Sequence, residues 1–255
     1  MATEKRPRGR PPKYPPDEVR RLLIDAAIAT LRVNGVESGL DAVTLDGAII
    51  DSNVPRGMSY KIWREGDGTP QDAFRHATVL DLLSIPAVAG LPATREFTTS
   101  ELDVYRDDLA SADQDVRRGI VVDLIRRVGE FNHLALAESE NWRIYTALRT
   151  AAVTRPSADP AVMKALESGE DYLIREYSQF YAEMAETVGL RLKADYEMDQ
   201  FSAAAYSLNE GLAMRLSSSY RQTDIERGGS ANTKGPWTLF AVSLEALIFH
   251  FFEWV

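Results

Sequence analysis

Within a span of six residues, Arg56, Ser59, Tyr60 and Lys61 offer two cations and two hydroxyls. That donor set suits phosphate oxygens and base edges in a DNA major groove. Upstream, Lys5-Arg6-Pro7-Arg8-Gly9-Arg10-Pro11-Pro12-Lys13 forms a second donor set, basic and stiffened by proline. Donors act together only if one helix face presents them, and the neighbouring sequence supplies such a helix. Thr44 suits the N-cap of a short helix over Leu45 to Ser52. Asn53 tolerates the left-handed backbone of a sharp corner, and Pro55 fits the first turn of a following helix. The stretch from Thr44 to Trp63 therefore reads as a helix-turn-helix, with Arg56, Gly57, Ser59, Tyr60 and Lys61 on its second helix.

Charge is distributed accordingly. The chain of 255 residues has a formal net charge of -9, which by itself opposes contact with phosphate. Up to Arg64, however, there are 11 basic and 8 acidic residues, a net of +3; beyond it there are 18 and 30, a net of -12. A cationic front is joined to an acidic body. With no cysteine and only His76, His133 and His250, scattered along the chain, thiolate metal sites are excluded and no metal or cofactor is expected. The charged, proline-rich start has no secretory leader. The apolar stretch from Trp237 to Val255 carries Glu245, His250 and Glu253, which argue against a membrane span. A cytoplasmic protein, associated with the nucleoid, is the expectation.

Helical periodicity dominates the rest. A first helix is predicted over Asp17 to Val33, stopped by Asn34-Gly35, and Thr69-Pro70 opens a fourth through Leu83. Pro86 to Thr99 reads as an irregular connection. The body is predicted to be helical over Ser100–Ala110, Asp113–Phe131, Leu134–Ala152, Asp159–Val188, Met198–Ser219 and Trp237–Val255, with a loop near Arg227 to Pro236 and no strand. The expected fold class is all-α: a disordered basic arm over 1–16, a helix-turn-helix domain over 17–66 and a helical ligand-binding and dimerisation domain over 67–255.

From Val19 to Leu83 this pattern resembles the tetracycline-repressor (TetR) family of bacterial transcriptional regulators. The resemblance rests on Asn34-Gly35, Thr44-Leu45, the Asn53-Val54-Pro55 corner, Arg56-Gly57, and Tyr60-Lys61 followed by Trp63. It implies that Thr44 and Tyr60 donate to phosphates and that Lys61 supplies a cation there. Pro55, Arg56 and Gly57 would open the helix against the groove, and Trp63 would anchor it from below. Departures are visible: Asn53 and Pro55 replace Gly and Ser, Ser59 takes the apolar position before the tyrosine, and Asp46 and Asp51 add negative charge. The arm, through Arg6, Arg8, Gly9 and Arg10, is similar to an AT-hook, in which arginines lie in a narrow A·T minor groove.

The resemblance also implies a homodimer on a palindromic operator with A·T-rich flanks, and a small-molecule effector in the body. Phe131, Trp142, Tyr145, Tyr177 and Tyr181 are the candidate effector contacts, although aromatics at helical spacing are packing residues by default. The last two helices carry stripes through Phe201, Leu208 and Leu212 and through Phe240, Leu244, Leu247 and Phe251, assigned to the dimer interface. An enzyme is disfavoured, since no nucleophile elbow, phosphate loop or metal-binding His-Glu-x-x-His is present. The competing expectation is a helical dimeric interaction protein whose DNA-binding domain has degenerated.

Overall fold

The computed structural model describes residues 14–35, 42–64, 68–84, 91–111, 113–154, 159–217, 225–227 and 235–255. The arm, including Arg6, Arg8, Gly9 and Arg10, lies outside the described residues. Among the described residues the architecture is all-α, with four strands of three residues each. The chain divides into two units, Met1–Leu82 and Leu83–Val255.

The first unit begins with α1, Pro16–Asn34, which opens on a first-turn proline and closes at Gly35, whose φ of 67° is left-handed. Val19, Leu23, Ala27 and Leu31 form its buried stripe. α2, Leu45–Ser52, and α3, Arg56–Ile62, both pack against α1. α4, Pro70–Ser84, is started by a reciprocal cap. In it the Thr69 backbone N–H donates to Asp72 Oδ2 (3.2 Å) while the Asp72 N–H donates to Thr69 Oγ1 (3.2 Å). The Thr69 hydroxyl, which donates to Asp72 Oδ2 at 2.7 Å, and then the Thr69 N–H hold the Asp72 carboxyl below its usual range. The core closes on Trp63, which meets Phe74 edge-on at 5.5 Å, with the Arg20 guanidinium 4.7 Å above the indole.

The second unit is built around α7, Gln114–Glu138, packed against α5 (Leu91–Val104), α6 (Arg106–Leu109), α8 (Glu140–Val153), α10 (Met198–Ser217) and α11 (Leu239–Phe251). α9, Pro160–Val188, lies against α10. Two antiparallel ladders complete it. β1 (Leu190–Leu192) pairs with β4 (Phe252–Trp254), placing Leu190 opposite Trp254; β2 (Ile225–Arg227) pairs with β3 (Gly235–Trp237).

Several predicted boundaries are corrected. Residues 91–99, expected to be irregular, belong to α5: Pro92 is its second residue, where the missing N–H is harmless. Leu91, Thr94, Thr98 and Glu101 line its buried face. The break expected near Asn132-His133 falls at Ser139, whose hydroxyl caps α8 by accepting from the Trp142 N–H at 3.2 Å. The final helix ends at Phe251 because the next residues pair with β1, and the Val255 N–H donates to the Gly189 carbonyl. Pairing across this distance leaves no local periodic signal.

The body core is aromatic. Phe201, fully buried, packs edge-on against Tyr181 and Phe252 at 4.9 Å and against Phe251 at 5.5 Å. Truncating it to alanine is expected to lower unfolding stability by about 3 to 5 kcal/mol, which urea titration followed by circular dichroism measures.

A polar relay crosses this core. His133 Nδ1 lies 2.7 Å from Asn209 Oδ1, Asn209 Nδ2 donates to Asn132 Oδ1 (2.8 Å), and Asn132 Nδ2 donates to Thr94 Oγ1 (3.2 Å). The His133 ring also stacks on Phe240 at 4.8 Å. Burial pushes the imidazole below its usual value, partly opposed by the bond to Asn209. The folded state therefore binds this proton less readily than the unfolded one, whose value is 6.5. The stability linked to His133 is complete above about pH 6.5 and is lost as pH falls toward the lowered folded value. Urea midpoints at pH 5 and pH 7.5 should differ less in His133→Gln than in the parent chain.

Candidate nucleic-acid interface

The corner between α2 and α3 has the sharp form that the sequence asks for. Thr44 Oγ1 accepts from the Gly47 N–H at 3.1 Å and starts α2. Asn53 then takes φ 53° and ψ 35°, the positive-φ non-glycine position among the described residues. Its left-handed backbone turns the chain in a single step, which a β-branched residue would resist. Pro55 stands at the N-cap of α3, just before the first turn; its carbonyl accepts from the N–H groups of Met58 and Ser59, both at 3.1 Å.

The seven residues of α3 separate into two faces. Ser59 points inward, as does Trp63 just past the helix end. Ser59 is fully buried and its hydroxyl donates to the Pro55 carbonyl at 3.1 Å, so its assignment as a DNA contact is corrected. At the apolar position of the pattern a serine becomes acceptable because the backbone carbonyl one turn back satisfies its hydroxyl. Arg56, Gly57 and Lys61 are exposed, and Tyr60 is half-buried. A Cβ added at Gly57 would meet nothing within 4 Å, so the backbone there is open to approach.

The outward donors are already engaged by a carboxylate from α2. Arg56 Nη2 lies 3.0 Å from Asp46 Oδ1 and 3.1 Å from Asp46 Oδ2, and the Tyr60 hydroxyl donates to Asp46 Oδ1 at 2.9 Å. The guanidinium also rides 5.6 Å from the centre of the Tyr60 ring. Two donors converge on one anionic group, as they would on a phosphate oxygen pair. The sequence showed Asp46 as an unwelcome charge; the structure shows what it binds.

A second device lies behind α2. The Gln71 side chain of α4 brackets the start of that helix: its Oε1 accepts from the Leu45 N–H (2.7 Å) and its Nε2 donates to the Val43 carbonyl (2.8 Å). Arg75 Nε donates to the same carbonyl at 2.9 Å. α4 is thereby clasped to the residues that position Thr44. Neither Gln71 nor Arg75 stood out in the sequence, since bracketing a helix start some 26 residues away leaves no motif.

In the body, the effector candidates separate. Trp142, Tyr145 and Tyr177 are buried packing residues, and Phe131 stacks on Phe97 at 4.5 Å; Tyr181 alone of the five lines the apolar cavity of the body. Of the residues assigned to a dimer interface, Phe201, Leu212, Phe240 and Leu244 are buried inside the chain's own core, whereas Leu208, Leu247 and Phe251 are half-buried and pack against it. Among the described residues no cluster suits a metal ion, and no helix is long and apolar enough to cross a membrane.

No family model matches the chain, and no curated protein matches it. Two solved chains resemble it over most of their length. One is a protein of unknown function from Rhodococcus sp. RHA1, with 14% identity, covering 95% of this chain and 98% of that one at a TM-score of 0.44. The other, from Rhodococcus sp., is described as a candidate TetR-family transcriptional regulator: 13% identity, 92% and 98% coverage, TM-score 0.42. Both scores lie below the range that establishes a common fold, and function is therefore argued from this chain's own geometry.

Proposed function

We propose that the chain is a DNA-binding transcriptional regulator, a repressor by default, whose grip on a palindromic operator responds to a small molecule held in the helical body. The observation that carries this reading is the outward face of α3. Arg56, Tyr60 and Lys61 share it, beyond a one-residue left-handed corner, on a helix anchored from below by Ser59 and Trp63. Phosphate contacts of Thr44, Tyr60 and Lys61 would position α3, and Arg56 near its N-terminus would reach base edges. The clasp of Gln71 and Arg75 on Val43 and Leu45 supports a route for control, because displacement of α4 pulls on the start of α2. A coupling of about 1 to 3 kcal/mol suffices for a switch.

The regulator acts as a homodimer in this reading, since one helix-turn-helix reads too few base pairs for useful specificity. With Phe201, Leu212, Phe240 and Leu244 turned inward, the second copy meets the outer sides of α10 and α11, where Leu208, Leu247 and Phe251 keep part of their surface and Met214 is exposed. The arm, through Arg6, Arg8, Gly9 and Arg10, adds minor-groove contacts on A·T-rich flanks.

One observation favours a second reading. Asp46 occupies the donors that DNA would use, as expected of a helical interaction protein that no longer reads a specific operator. Enrichment of random duplexes by the purified chain separates the two: a palindromic motif supports the regulator, and no enriched motif supports the alternative. Sedimentation of the same preparation should give a two-chain mass, and a monomer at micromolar concentration would remove the dimer.

A further inference from the structure

The body holds a half-open cavity of about 90 Å³, lined by residues of α7, α9 and α11 together with Phe201 and Phe252. Its lining contains no Lys, Arg, Asp, Glu or His. Three lining residues carry polar side chains: Thr94, Asn132 and Tyr181. The first two answer each other, and Asn209 answers Asn132. They are committed to the internal relay and ask nothing of a ligand. The Tyr181 hydroxyl differs, having no hydrogen-bond partner among the described residues. Burial pushes its ionisation above the usual tyrosine range, so it stands in the lining as a neutral phenol.

Such a lining selects sharply. A charged ligand would lose its hydration with no counter-charge to replace it. Water is a poor occupant too, because it needs two to four polar partners and the walls are nearly all hydrocarbon. An apolar molecule gains the contacts that an empty cavity forfeits. Size sets a further limit: a cavity of roughly 150 Å³ holds a benzene ring, so this smaller, half-open one takes a single ring or short chain with part of it toward the mouth and Met184 of the lining moving aside.

We infer that the body cavity is a binding site for an uncharged, single-ring or short-chain molecule whose one hydroxyl or carbonyl pairs with Tyr181. Its role as effector rests on the regulator reading, whereas occupancy is measured with no DNA present. The two can therefore fail separately.

Calorimetry and thermal melting with p-cresol, toluene and p-toluate, at a pH where the last is ionised, test the site. These share a ring and differ in the polar group. Expected are binding of p-cresol and toluene with a rise in melting temperature of a few degrees, and p-toluate at least about 10-fold weaker than either. Tyr181→Phe should reduce p-cresol to the affinity of toluene and leave toluene unchanged, because it deletes the hydroxyl and keeps the wall. Ala185→Leu, on the lining, should fill the space, raise the melting temperature of the free protein and abolish binding of both neutral probes. Should Ala185→Leu fail to fold, Tyr181→Phe still decides the matter. Equal or tighter binding of p-toluate, no binding of any probe, or an unchanged p-cresol affinity in Tyr181→Phe overturns the assignment.

Discussion

Replacing Asp46 with asparagine is expected to strengthen DNA binding about 10-fold. The carboxylate of Asp46 holds Arg56 and Tyr60 on the outward face of the second helix of the motif. Both partners of the ion pair are well exposed, with side-chain exposures of 69% and 51%, so breaking it costs at most about 1 kcal/mol. A carboxylate some 4 Å from a phosphate adds a repulsion of about 1 kcal/mol in water. Relieving both gives about 1 to 2 kcal/mol, and 1.4 kcal/mol is tenfold in affinity. Asparagine has the same shape and still accepts from the Tyr60 hydroxyl, so the helix pair keeps its geometry. Because removing the carboxylate adds one net positive charge beside the phosphates, the slope of log affinity against log salt should steepen by about 0.9. Fluorescence anisotropy on the enriched duplex between 50 and 200 mM salt reads both effects. Unchanged or weaker binding would mean that Asp46 is needed to shape the reading face instead of competing with DNA for it.

The double substitution Tyr60→Phe with Lys61→Ala should act in the opposite direction. It removes one hydroxyl and one cation from α3 and leaves the aromatic ring beneath Arg56 in place. Loss of charge-assisted hydrogen bonds to phosphate costs about 1.5 to 3 kcal/mol, or about 10- to 100-fold in affinity. The loss should be similar on every duplex tested, and the salt slope should flatten by about 0.9. A selective loss on the preferred operator would move these two residues from phosphate to base contact. In combination with Asp46→Asn the effects should not add, because Tyr60 and Asp46 share a hydrogen bond.

The helix-turn-helix was legible because its punctuation is local. Gly35, Thr44, Asn53 and Pro55 each impose a backbone requirement within their own turn, and α2 occupies the predicted residues, Leu45–Ser52. What escaped depends on residues far apart. Asp46 and Tyr60 are 14 positions apart, and Gln71 and Val43 are 28 apart; neither pairing has a periodic signature. In the body the apolar stripes of α10 and α11 were visible, but a stripe does not say whether its partner is another helix of the same chain or a second copy. Packing against α7 and the β1–β4 ladder resolved Phe201 and Phe240 as interior. Ser59 was misread for a similar reason: a hydroxyl looks like a surface donor until the carbonyl that satisfies it is seen.

Enclosure of Ser59 carries a lesson for protein engineering. A reading helix transplanted onto this scaffold can vary freely at Arg56, Gly57 and Lys61, which face solvent. It must keep a compact residue at position 59, where no surface remains uncovered. Libraries that randomise α3 without respecting that limit will return unfolded proteins more often than new specificities.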